Sequence, residues 1–166
     1  MLVTANRLLA ELTREAATTR RVLERVPENQ LAWAPHPKSM TLGRLALHVA
    51  QVPGALAELL QTPGLDVPSF TPPEPASLDE VLRAHDAGLV TARAIVAAWD
   101  EEVLDARWRL TSGGRTLIDE PRYEVARAIM LNHVYHHRGQ LTVYLRLLNV
   151  PVPATYGPSA DESPFG

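Results

Sequence analysis

The sequence predicts an all-α chain of four long helices, with a short hairpin ahead of the last. Three observations carry that prediction. Apolar residues recur at helical spacing in four long segments, proline and glycine punctuate the connections, and Gly113-Gly114 separates two short runs of strand character. A chain of 166 residues can bury a core as a single domain, residues 1–166, without disulfide staples.

The first helix is expected over residues 5–25, with Leu8, Leu9, Leu12, Ala16 and Val22 on its buried side and Pro27 just past its end. A linker holding Trp33, Pro35 and Pro37 leads to Ser39 or Thr41, either of which can cap a second helix. That helix is expected to reach about residue 61, with Pro53 bending it or deleting one of its hydrogen bonds. Residues 62–75 contain Pro63, Pro68, Pro72, Pro73 and Pro75, too many fixed φ angles and missing donors for regular structure, so a long loop is expected.

Ser77 and Glu80 have capping-box spacing and open a third helix, expected to run to about residue 103 with Asp100, Glu101 and Glu102 on its solvated end. Residues 108–110 and 115–118 form the arms of the hairpin. Pro121 suits the first turn of a fourth helix that extends to about residue 148, where Asn149 and Pro151 end it. The proline-punctuated tail, residues 150–166, is expected to lie against the helices. Trp33, Trp99 and Trp108 read as core anchors, because each brings a large apolar area into apolar surroundings.

Composition removes several function classes. With no cysteine, disulfides, zinc ribbons, iron–sulfur ligation and a self-supplied thiol nucleophile are excluded, so any metal must be held by His, Asp or Glu. A net charge of −3 with scattered arginines provides no basic stripe, and nucleic acid is not an expected partner. Neither a signal-peptide apolar region nor a membrane-length run is visible, which predicts a soluble cytoplasmic protein without a membrane partner.

The segment with most chemistry is 132–140, where His133, His136 and His137 fall within five residues of a helical pattern. At ~100° per residue His133 and His137 lie one turn apart and nearly in line, so their ring nitrogens can converge on one ion. His136 lies ~60° to the other side of His133 and is less well aligned with a facing helix. The third ligand is expected to be His48, on the apolar stripe of the second helix; a core imidazole satisfied by a carbonyl is the alternative, and the HisxxxHis pair favours ligation. Three imidazoles on a divalent ion leave a position open, as catalytic zinc sites do.

Two other metal architectures fail. The HisGluxxHis pattern of zincin proteases is absent, with Val134 and Tyr135 inside the motif, and no Glu or Asp has a His three residues later as a di-iron bundle requires. Gln140 and Tyr144 follow His133 and His137 by seven residues each, and Arg44 and Gln51 flank His48 at i−4 and i+3. These four are candidate substrate contacts, although Tyr144 also suits a core aromatic, Gln140 an interhelical hydrogen bonder, and Arg44 and Gln51 the rim. His36 and His85 read as exposed or loop residues and not as ligands.

The chain resembles the DinB family, including its DinB/YfiT-like metalloenzymes. The resemblance rests on residues 42–48 of the second helix, on His133 followed by His137-Arg138-Gly139-Gln140, on Tyr144-Leu145-Arg146, and on the tail 152–159. It implies an up-down-down-up four-helix bundle, often dimeric, with a nickel- or zinc-type ion on a triad carried over to His48, His133 and His137. Related bundle enzymes transfer low-molecular-weight thiols such as bacillithiol or mycothiol to electrophiles, or use them as cofactors in isomerisation. Some of these carry Glu where this chain has His133.

The expected function is therefore that of a metal-dependent thiol S-transferase working as a homodimer on a small-molecule substrate, with one zinc or nickel ion and a low-molecular-weight thiol as cofactors. A hydrolase or isomerase that activates water, and a non-catalytic metal- or ligand-binding bundle, are the alternatives. The substrate is expected in a cleft between the second and fourth helices, covered by the loop 62–75 or by the tail around Tyr156.

Overall fold

Caps start the helices where the sequence places them. The Thr41 hydroxyl accepts from the Arg44 N–H at 3.1 Å to open α2 (Leu42–Leu59), and Ser77 accepts from Glu80 N–H at 3.2 Å to open α3 (Leu78–Ala97). The Glu80 carboxylate reaches back to the Ala76 N–H at 2.7 Å, so the acid returns to the start of the helix as capping-box spacing anticipates. The computed structural model describes residues 3–67 and 73–163 and begins with α1 (Val3–Leu23). Pro68 and Pro72 of the expected loop, and residues 164–166 of the tail, lie outside the described residues.

The third segment departs from expectation. α3 stops at Ala97, Trp99 turns inward and is 4 % exposed, and Asp100 accepts from the Val103 N–H at 2.8 Å to cap a separate short helix, α4 (Glu101–Asp105). Asp100 is thus an N-cap rather than part of a continuing helix end. Burial of the Trp99 indole overrides the helical propensity of its neighbours.

The fold is mostly helical but not purely so. β2 (Arg107–Ser112) and β3 (Arg115–Pro121) pair antiparallel with Trp108 opposite Glu120, and β1 (Gly64–Asp66) adds to β2 in parallel with Gly64 opposite Arg109. Gly113 and Gly114 have φ of +55° and +81°, the pair of positive values that a two-residue hairpin turn requires. Gly64 is dictated by close approach, since a Cβ there would stand 2.4 Å from the Arg109 carbonyl oxygen. The all-α expectation fails because β1 arises from the proline-rich stretch, where a three-residue strand depends on a distant partner rather than on local pattern.

The last helical run is continuous but not uniform: α5 (Arg122–Val125), a π-helical segment (Ala126–Asn132) and α6 (His133–Leu147) follow without a break. Arg122 is buried at the junction. Its Nε donates to the Leu60 carbonyl at 2.6 Å and another of its nitrogens to the Val103 carbonyl, joining the end of α2 to α4. Asn149, at φ +56°, ends the helix as expected.

Two apolar clusters fill the interior. One joins Leu8 and Leu12 of α1 to Val96, Trp99, Trp108 and Met130; the other joins Leu45 and Val49 of α2 to Val81, Val134, Leu141 and Leu145. Trp33 is only half-buried and lies edge-on to Tyr144, a rim contact rather than a core anchor. Among the described residues no helix is long and apolar enough to cross a membrane.

α2 packs most extensively on α3, and the closest point is backbone on backbone. A Cβ on Gly54 would stand 2.6 Å from the Gly88 Cα, so neither helix can yield by a rotamer change. Gly54→Ala is expected to lower stability by about 1–3 kcal/mol through overpacking, although alanine is the better helix former. Urea unfolding of the two proteins measures this, and an unchanged or higher midpoint would contradict the contact.

Candidate metal centre

His48 reaches the site because its neighbours Leu45, Leu47, Val49 and Val52 lock α2 into the core, leaving the imidazole half-buried and turned towards α6. On α6, Val134, Arg138, Leu141 and Leu145 occupy the buried face, which holds His133 and His137 on the adjoining flank. The two helices run in opposite directions, since His48 meets His133 while Met40, ahead of α2, accepts from the Tyr144 hydroxyl at 3.3 Å.

The three imidazoles form one cluster. Each of His48, His133 and His137 offers a ring nitrogen within 4.8 Å of the others, and the ring centroids are 4.5 to 5.1 Å apart. His48 Nε2 and His133 Nε2 are 3.0 Å apart, so at most one proton lies between them. Two nitrogens each ~2.1 Å from a tetrahedral ion lie roughly 3.4 Å apart, close to that spacing. Among the described residues this is the one group of three or more candidate ligands, and it contains no carboxylate.

The surroundings keep these rings neutral, the form that donates to a metal. Desolvation first, then the nearby His137 and His133, push His48 down to about 4. Burial also lowers His133, reinforced by His137 and His136, and lowers His137 despite an opposing hydrogen bond that its ring donates to Gln140.

The other candidates are distributed more widely. Gln140 Oε1 lies 2.7 Å from His137 Nδ1, and Tyr144 packs on Trp33 one turn further along α6. Arg44 pairs with Glu74 at 2.9 Å, on the side facing the loop, while Gln51 is exposed on a groove that α2 shares with Ala84, Ala87 and Gly88 of α3. His136 is exposed, its ring 4.9 Å from that of His137. His36 is exposed as expected, but His85 is buried at 5 % exposure, bonded to Asp86 at 3.1 Å and walling a cavity of about 20 Å³ with Leu12 and Pro53. An isolated histidine beside an aspartate in a polar-looking stretch did not announce that burial.

A model of the DinB family matches residues 1–164. The chain belongs to the DinB family. An uncharacterized protein of Bacillus subtilis, YrdA, is 26 % identical over 171 residues, covering 98 % of this chain and 93 % of the relative. A DinB-like protein of Bacillus cereus matches in fold with a TM-score of 0.67 at 22 % identity, over 90 % of this chain and 95 % of that one. A DinB-like protein of Bacillus subtilis matches with a TM-score of 0.66 at 18 % identity, over 94 % and 98 %.

Sequence reasoning missed the polar assembly behind the cluster of this DinB chain. Arg138 is 2 % exposed and donates to the Glu15 carboxylate at 2.8 Å, to the Thr19 hydroxyl at 3.1 Å and to the Tyr156 hydroxyl at 2.6 Å. Its guanidinium carbon stands 5.4 Å from the Tyr135 ring centroid and 5.1 Å from that of Tyr156. The available signal was positional: Arg138 falls four residues after Val134 and three before Leu141, on the apolar stripe itself.

Neutral half-buried imidazoles make stability depend on pH. Their pKa values lie below the unfolded value, so unfolding takes up protons; the contribution is full above ~6.5 and falls as pH drops from there towards the folded values. The metal-free protein is therefore expected to lose stability between pH 7 and pH 5, with His48→Gln flattening the profile. Denaturant midpoints across that range test this, and a flat wild-type profile would contradict a neutral cluster.

Proposed function

We propose that this chain is a metal-dependent enzyme that transfers a low-molecular-weight thiol to an electrophilic small molecule, with one zinc- or nickel-type ion held by His48, His133 and His137. The observation that carries the reading is the convergence of three imidazole nitrogens from α2 and α6 with no carboxylate among them. Such an ion supplies Lewis acidity that lowers the pKa of a bound thiol. Neutral donors suit that role because they add no negative charge to offset the cation.

The chain's own residues supply holding and shape. His48 is fixed by the α2 core, and His133 and His137 by the buried face of α6. Arg44, paired with Glu74, and Tyr144, packed on Trp33 with its hydroxyl on the Met40 carbonyl, are the side chains assigned to orient an organic substrate, with the 73–76 segment joined to α2 through Glu74, Arg44 and Thr41. A chain without cysteine must take its thiol from outside. With no carboxylate in the cluster to act as a base, water activation is the less favoured chemistry. A four-helix-bundle arrangement and a homodimer, which the family resemblance implies, and a cytoplasmic setting complete the proposal.

His48→Ala, His133→Ala and His137→Ala are each expected to abolish stoichiometric metal uptake, whereas His36→Ala and His85→Ala retain it; elemental analysis after dialysis measures this. His136→Ala should also retain metal, and loss there with retention in His133→Ala would reassign the ligand. Metal-loaded wild type is expected to consume electrophile only with a thiol present. Thiol-independent turnover across a panel would favour the hydrolase or isomerase, and metal uptake without turnover a sequestering protein.

The apolar core does not rely on the ion, so the metal-free chain is expected to stay helical and to gain thermal stability as zinc is added. Circular dichroism in chelator showing a random coil would contradict this.

A further inference from the structure

The contact between His137 Nδ1 and Gln140 Oε1, at 2.7 Å, selects which ring nitrogen is free to donate. A neutral imidazole carries its proton on one nitrogen and a lone pair on the other. An amide oxygen can only accept, so its bond to Nδ1 requires the proton there and leaves the lone pair on Nε2. With the amide turned over, its NH2 would donate to Nδ1 and the proton would move to Nε2. The facing pair in the cluster, His48 and His133, already meet through their Nε2 atoms.

We propose that Gln140 is a positioning residue that holds His137 in the Nδ1–H tautomer and so presents Nε2 to the metal. This rests on the metal-site reading above and replaces a direct substrate contact for Gln140. The i, i+3 spacing on α6 brings the amide beside the ring, so the pair stays together wherever the helix is intact. Partners of this kind, bonded to the non-ligating nitrogen of a metal histidine, set ring orientation and raise ligand basicity.

The test uses the full chain as wild type, Gln140→Ala and Gln140→Glu. Long-range 1H–15N correlation spectra of the metal-free proteins at pH 8 report the His137 tautomer, assigned by its loss in His137→Gln, and zinc affinity is measured by competition with a chelator. Wild type is expected to show the Nδ1–H form. Gln140→Ala should lose its predominance and bind zinc about 10- to 100-fold more weakly. Gln140→Glu, which still presents an acceptor, should keep both properties.

An unchanged tautomer in Gln140→Ala, or a changed tautomer with unchanged zinc affinity, would overturn the assignment. A raised KM for the thiol or the electrophile with full zinc affinity would also overturn it and restore the substrate contact. Wild type that takes up no zinc would instead overturn the metal-site reading, whatever tautomer His137 shows.

Discussion

A buried arginine orients the helix that carries the site. Arg138 is withdrawn from water almost completely, and a guanidinium in that position is tolerable only if charge and donors are matched. Glu15 supplies the charge, Thr19 and Tyr156 further acceptors, and Tyr135 and Tyr156 an aromatic flank. Tyr156 also donates to Glu15 at 2.8 Å, so α1, α6 and the tail meet in one network. Breaking a buried pair on one side costs ~3–5 kcal/mol, enough to specify a single rotation of α6 about its axis. That rotation is what sends His133 and His137 towards α2.

The two sides of α6 therefore do opposite electrostatic work. On one side a cation is stabilised by a carboxylate and hydroxyls; on the other, three imidazoles are kept uncharged by burial and by one another. A further pair, Tyr135 to Glu11 at 2.8 Å, with Arg127 on the same carboxylate, extends the polar seam along α1 towards the π-helical segment. Wide turns of this kind recur near functional sites, and here one ends at the residue before His133.

What could be read from the sequence was whatever depends on local chemistry. Thr41 and Ser77 cap as their side chains require, Gly113-Gly114 turns the hairpin, and the one-turn spacing of His133 and His137 aligns the pair that meets His48. What could not be read depends on partners far along the chain. β1 exists because Gly64 can lie against Arg109, α3 ends because Trp99 is needed in the core, and His85 is buried because α1 and α2 cover it. The polar candidates were separated for the same reason: Gln51 shares a helix with His48, but its angle about that helix places it on the α3 side.

Arg122 joins the end of α2 to α4 through carbonyl oxygens alone, those of Leu60 and Val103, with Thr62 facing it at 3.5 Å. Every residue type has a carbonyl. The junction thus constrains the path of the backbone at 60–62 and 103 while leaving side-chain identity there to other pressures. Drift in related chains should accordingly be asymmetric: substitutions can accumulate among the acceptors, whereas the single donor has no near equivalent, because a lysine presents one compact ammonium where a planar fork spans two segments.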